Sequence, residues 1–161
     1  DMGAALERAN AGLGKVAEVR CGQWHTCMIL VNGSLACVGD NAHGKLGVGE
    51  KSGRKTKAVV AKLEAPVQQV CAGAEFMCAL SGGSVWCWGD DSQGQVSVVG
   101  GEDVVLPARV ALSATVDVWE LTCGWYHACI QSSQRVQCWG SGGSGQLGRG
   151  TTANVAAGDP H

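Results

Sequence analysis

CAGAEFMCALSGGSVWCWGDDSQGQVS, residues 71–97, is the middle copy of a phrase that the chain states three times. Residues 21–47 read CGQWHTCMILVNGSLACVGDNAHGKLG, and residues 123–148 read CGWYHACIQSSQRVQCWGSGGSGQLG. Cys27, Cys78 and Cys129 stand 51 and 51 residues apart, and Gly22, Gly73 and Gly124 keep the same spacing. A fixed period of this length marks a repeat architecture, in which one supersecondary unit is copied and stacked. The 161 residues therefore divide into repeat 1 over 1–55, repeat 2 over 56–106 and repeat 3 over 107–161.

Inside each unit the last two cysteines flank a hairpin. If Cys78 faces Cys87, then Ala79 faces Trp86, Leu80 faces Val85 and Ser81 faces Ser84. Gly82-Gly83 is left as a two-residue turn, and glycine tolerates the positive φ that such turns require. Cys129 and Cys138 close in the same way with Ser133-Gln134 at the tip, while Cys27 and Cys37 close around Val31-Asn32-Gly33. Directly opposed residues of an antiparallel pair have Cα separations that a disulfide accepts. The expected bridges are Cys27–Cys37, Cys78–Cys87 and Cys129–Cys138. Cys21, Cys71 and Cys123 stay unassigned, because Cys71 lies one residue further from its glycine than the other two, and a one-residue offset turns a strand side chain to the other face. An odd total leaves at least one cysteine unpaired or bonded outside the chain.

Strand-like runs precede each glycine: 16–19, 67–70 and 116–121. Ala58-Val59-Val60 and Arg109-Val110-Ala111-Leu112 supply a further short strand, which makes about four strands per unit, the content of a propeller blade. A helix is expected only over Gly3 to Asn10. The fold class is all-β: three propeller blades, forming a partial propeller.

Composition agrees, with 25 Gly, 3 Pro and short apolar runs, none long enough to span a membrane. A net charge of -2 gives no general attraction to nucleic acid. Lys51, Arg54, Lys55 and Lys57 form one basic cluster, expected to be a solvated loop. The chain opens at Asp1 without a signal peptide, as a processed chain or a fragment would.

The phrase G-x-x-H-[TA]-C-x-[IL], a Gly- or Ser-tipped hairpin, and C-W-G-x-x-x-x-G-Q-L-G resembles the RCC1 (regulator of chromosome condensation) repeat. Its clearest copies are Gly22 to Cys27 and Cys138-Trp139-Gly140 through Gly145-Gln146-Leu147-Gly148. The cysteine-bearing version is similar to secreted members of that family. Drifted positions are Phe76 for His25 and His127, Ser97 for Gly47 and Gly148, and Val38 for Trp88 and Trp139. Members commonly close as seven blades, so the resemblance implies that three blades are completed by more of the same propeller or by another polypeptide. The chain stops at Asp159-Pro160-His161, close to where Pro107 introduces a strand one unit earlier.

Cys21, His25, Cys27 and Cys37 could serve as a zinc set, repeated by Cys123, His127, Cys129 and Cys138. Two ligands of each set face one another across a hairpin, repeat 2 lacks the histidine, and no C-x-x-C occurs, so disulfides are the better reading and no metal or other cofactor is expected. No nucleophile–base–acid set, G-x-S-x-G or phosphate loop is present, so no catalytic residue is assigned. Gly140 to Gly145 is a turn, as are Asp40-Asn41 and Asp90-Asp91. His25 and His127 are expected to pack and hydrogen-bond within the blade. Trp24, Trp88, Trp125 and Trp139 are expected in the core, since the Gly-Trp-Arg-His-Thr phrase of RCC1-like plant photoreceptors is matched only by Gly124 to Ala128 without the arginine. Asn32-Gly33-Ser34 is a sequon at a hairpin tip, where an N-glycan would fit. With the cysteine hairpins it points to the secretory pathway and an extracellular or cell-surface setting. The expected role is a non-catalytic protein-binding or structural module of a larger surface or fibrous assembly. The resemblance also implies two alternatives, guanine-nucleotide exchange on a small GTPase and secreted enzyme inhibition.

Overall fold

The computed structural model describes residues 12–96, 101–112 and 117–158, and there the chain is built of strands and turns with no helix. The expected helix over Gly3 to Asn10 lies outside the described residues. Three antiparallel sheets follow one another along the chain. The first orders β1 (Val16–Cys21), β2 (His25–Leu30), β3 (Leu35–Gly39) and β4 (Lys55–Val60) in sequence. The second does the same with β5 (Val67–Ala72), β6 (Phe76–Ser81), β7 (Ser84–Gly89) and β8 (Val104–Arg109). The third has β9 (Val118–Cys123), β10 (His127–Ser132) and β11 (Val136–Gly140), with Val155 bridged to Gly140 beside the last.

Each sheet is a meander, and its central hairpin has the register that the facing cysteines require. Cys27 pairs with Cys37, Cys78 with Cys87 and Cys129 with Cys138. Gly82 and Gly83 take φ of 58° and 71°, the left-handed pair of a two-residue hairpin turn. Leu30 and Ser34 close the longer loop of the first sheet, with Gly33 at φ 83°. The first strand of every sheet carries a bulge at the same place, opposite Leu30, Ser81 and Ser132. A bulge strengthens the local twist, and here the repeat copies it with the rest of the blade.

The fourth strands correct the sequence reading. The outer strand of the second sheet is Val104–Arg109, not Arg109–Leu112, and it pairs through Cys87 with Ala108. Pro107 therefore sits inside a strand, which is tolerable because β8 is an edge and proline lacks only a donor. Residues 55–60 likewise complete the first sheet, so β4 straddles the repeat boundary at 55/56. Lys55 and Lys57 lie on β4 and not in a loop; Lys51 and Lys55 are engaged by Asp103 and Glu50 at 2.8 Å each.

A single sheet cannot bury its own face, and the core lies between sheets. Ile29, Leu35, Leu46, Val70, Met77 and Trp88 form one cluster between the first and second. Phe76, Leu80, Val96, Ile130, Trp139 and Leu147 form the next, between the second and third. Met28, Leu30 and Ala36 make a smaller cluster with Leu13 and Val16 on the far side of the first sheet.

The glycine that opens each phrase has a steric cause. A Cβ on Gly22, Gly73 or Gly124 would lie 2.1, 2.0 and 2.0 Å from Cε1 of His25, Phe76 and His127, respectively. The ring three residues on fills the space that the missing side chain leaves. Phe76 is fully buried, so it has nowhere to retreat. Gly73→Ala is expected to lower stability by about 1–3 kcal/mol, as overpacking does, read from the urea midpoint. Gly53→Ala, where nothing lies within 4 Å, should shift it by less than ~0.5 kcal/mol.

Candidate functional site

The cysteines come first because they fix the blades. Cys27–Cys37, Cys78–Cys87 and Cys129–Cys138 are bonded, each with a Cα separation of 4.1 Å. Of the three that the sequence left unassigned, Cys71 and Cys123 are bonded to each other at a Cα separation of 5.4 Å. This bridge runs between sheets, from β5 to β9. Cys21 is the one free cysteine among the described residues, and it is exposed. In the chain-entropy account a loop of ten residues is worth about 2.7 kcal/mol and one of fifty about 4 kcal/mol, so the inter-sheet bridge constrains the unfolded chain most. Because Cys27 is bonded to Cys37 and Cys129 to Cys138, neither Cys3His set is assembled as thiolates.

Polar contacts that sequence reasoning missed also join neighbouring sheets. Gln69 on β5 donates to the Trp119 carbonyl at 2.6 Å and accepts from the Leu121 amide at 2.9 Å, clasping the bulge of β9. Trp88 donates its indole N–H to the Lys45 carbonyl at 2.8 Å, and Trp139 donates to that of Gln95 at 3.0 Å. Each indole thus closes the loop of the preceding blade. Those loops are stapled from within: Asn41 Oδ1 accepts from the Leu46 amide at 3.0 Å, and Asp91 Oδ1 accepts from that of Val96 at 2.7 Å. The Asp-Asn and Asp-Asp pairs are turn residues, as the sequence indicates.

Lys45 is fully buried, its ammonium 2.6 Å from Asp40 Oδ2 and also bonded to the Glu75 carboxylate of the next blade. The hydrogen bond from Lys45 holds the Asp40 carboxyl below its ordinary range. His25 is buried beside them, its Nε2 2.9 Å from Met77 Sδ and its Nδ1 without a partner. Burial, assisted by the Lys45 charge, pushes its pKa down to about 4.

A second polar group joins the first two blades. His43 Nδ1 lies 2.9 Å from Asp103 Oδ1, and Lys51 Nζ lies 2.8 Å from Asp103 Oδ2. Burial works against the Asp103 carboxylate, but hydrogen bonds from Lys51 and His43 outweigh it and keep its pKa low. Asp90 is close by, with ligand atoms of the three acidic and imidazole groups within 4.8 Å of one another. Its carboxylate already accepts from the Ser92 amide and hydroxyl and from Gln95 Nε2. A lysine on one carboxylate and three donors on the other make this an internally satisfied cluster, poorly suited to a cation.

The loops that join the first two strands of the first and third sheets carry exposed rings, while the matching loop of the second sheet is largely buried, with Ala74 1% exposed. Trp24 and Trp125 are 64% and 68% exposed, which corrects the expectation that all four tryptophans pack inside; only Trp88 and Trp139 do. Trp125 stands edge-on to Tyr126, ring centroids 6.4 Å apart. The Ala74 amide donates to the Trp125 carbonyl at 3.0 Å, so neighbouring loops hold one another in place. Trp24 adjoins Arg54 and Asp40 in one shallow cleft, and Tyr126 adjoins Glu75, His43 and Asp90 in another. Asn32 is exposed at its hairpin tip, with Oδ1 accepting from the Ser34 amide at 3.0 Å. Aromatic and arginine side chains on rigid loops are the composition of binding hot spots.

The buried His25 gives a pH prediction. Its folded pKa lies below the ordinary 6.5, so between about pH 6.5 and 4 the unfolded chain binds the extra proton and stability falls as pH falls. The full loss is about 3 kcal/mol at 1.36 kcal/mol per pH unit. His25→Phe, the residue that repeat 2 carries as Phe76, should flatten the stability curve from pH 6.5 to 5 in urea titrations.

Family models described as "Regulator of chromosome condensation (RCC1) repeat" match residues 16–45, 67–95 and 82–131. Human "Probable E3 ubiquitin-protein ligase HERC3" is 35% identical over 83% of this chain, which spans 13% of that protein. Yeast RCC1 (Prp20), solved bound to Kap60, superposes with a TM-score of 0.78 at 21% identity, over 91% of this chain and 37% of that one. The CRINKLY WD40 ectodomain of the Arabidopsis thaliana receptor kinase ACR4 gives 0.51 at 26% identity, over 78% and 38%. Matched by these repeat models over more than half of its length, and 35% identical to such a relative over 83% of it, the chain belongs to the RCC1-repeat family.

Proposed function

We propose that this chain is a non-catalytic, extracellular module, a set of disulfide-stapled propeller blades that binds protein through its loop face. The observation that carries the reading is the sulfur chemistry. Four bridges engage eight of the nine cysteines, and bridges of this kind persist in oxidising compartments and are rare in the cytosol. The likeness to a receptor-kinase ectodomain supports the same setting. The exposure of Asn32 at its hairpin tip supports a glycan on the sequon.

Binding is assigned to the face that carries Trp24, Trp125 and Tyr126. The blades hold these rings on short loops tied to one another, so little side-chain and loop entropy is lost on association. Each ring presents a large apolar area next to charge, Trp24 beside Arg54 and Tyr126 beside Glu75. Further blades of the same propeller, or a separate protein, are the partners that this module takes.

The protein isolated without reductant should have a mass at least eight hydrogens below its fully reduced form, two for each of the four bridges. An N-glycosidase should remove a glycan from Asn32. Nine freely alkylated thiols in the folded protein would move it to a reducing compartment and favour nucleotide exchange on a GTPase. Trp24→Ala combined with Tyr126→Ala should weaken the partner recovered by cross-linking at the cell surface about tenfold or more, with the bridge count unchanged.

A further inference from the structure

The repeat gives each position of one blade two internal references, and one position stands out. Eight residues before the hairpin cysteine lie Val19, Val70 and Leu121. Val70 and Leu121 are 2% and 6% exposed, while Val19 is 47% exposed. Each of the two buried residues is covered by the blade that precedes it: β1 and β2 lie against β5, and β5 and β6 lie against β9. Two residues further along, Cys123 is bonded to the preceding blade and Cys21 is free and exposed. On the first sheet Met28, Leu30 and Ala36 are already buried, so among the described residues it is strand β1 that has no blade against its outer side.

The observed inter-blade bridge has a defined register. It runs from seven residues before the hairpin cysteine of one blade (Cys71 before Cys78) to six residues before that of the next (Cys123 before Cys129). Cys21 stands six before Cys27, the same place as Cys123. Its partner position on the three blades here is held by Arg20, Cys71 and Thr122. Cys71 is engaged and the other two have no thiol, so a second copy of this chain docked in blade register cannot supply the bond.

We infer that Cys21 is one half of a further inter-blade disulfide. Its partner is a cysteine seven residues before the hairpin cysteine of an additional blade, which lies against β1 and covers Val19. In the bonding step two S–H bonds break and one S–S bond forms. Two electrons and two protons pass to a disulfide oxidant, oxidised glutathione or a protein disulfide, which becomes a pair of thiols. The inference rests on the extracellular propeller reading and specifies which edge the next blade takes.

The native polypeptide, isolated without reductant, should be alkylated with iodoacetamide, digested and mapped by mass spectrometry. The Cys21 peptide is expected to be joined to one whose cysteine precedes another cysteine by seven residues. Alkylated Cys21 beside intact hairpin bridges overturns this inference and leaves the module reading standing, as does Cys21 joined to any other cysteine or to a second Cys21. Alkylation of all nine cysteines overturns both. The register has its own test within the chain: Arg20→Cys with Ala72→Cys and Cys21→Ser places thiols at the same two positions across the first and second blades. That variant is expected to lose two further hydrogens of mass on oxidation, and free thiols there would overturn the register rule.

Discussion

The indole N–H that one sheet donates to the loop of the sheet before it is where the blades stop being separable. Trp88 reaches the Lys45 carbonyl and Trp139 reaches that of Gln95, both from fully or nearly fully buried rings. A buried indole N–H left without an acceptor costs about 1–3 kcal/mol. The carbonyl therefore has to be presented at one place, and the loop that presents it has to be rigid. That requirement explains the stapling of the loop by Asn41 or Asp91, and it explains why Leu46 and Val96 sit behind it in the apolar clusters.

Lys45 shows what this arrangement permits. A lone buried ammonium is expensive, and here it is balanced by Asp40 of its own blade and Glu75 of the next. The group is a contact between blades that only the correct neighbour satisfies. Repeat 2 replaces the lysine with Gln95, which bonds to Asp90 at 3.0 Å, and the position facing it on the third blade is Tyr126 and not an acid. The drift of the repeats is thus correlated across the seam: a cation is kept where the next blade offers a carboxylate, and a neutral amide where it does not.

The hairpins were legible in the sequence because each is local. Its register follows from counting between two cysteines, and the turn residues agree with the count. The inter-sheet bond was not, because the one-residue offset between Cys71 and Cys123 is meaningful only once two different strands lie side by side. The same cause hid Gln69, whose amide clasps a neighbouring strand. Strand β8 was misplaced for another reason: Val110 and Leu112 are the more apolar residues, but the ladder is set by Cys87 opposite Ala108, with an irregularity before Gly89. Local propensity favoured one segment and register favoured the other, and register prevailed. The place of Trp24 and Trp125 beside the repeat glycines suggests core packing, but both stand on loops and are exposed, at 64% and 68%.

Val38 carries the last consequence of the seam. It stands where Trp88 and Trp139 stand, so the first blade has no indole to close a loop before it. At the other end Leu147 is buried, while Gln146 is exposed, unlike its counterparts Lys45 and Gln95. The two ends of the array therefore differ in kind. The third blade leaves exposed a loop of the type that a tryptophan closes elsewhere. The first leaves a strand bearing an apolar residue and a thiol. A blade added beyond the third would use the buried hydrogen bond of the established seam, whereas a blade placed before the first would depend on packing against Val19 and on sulfur.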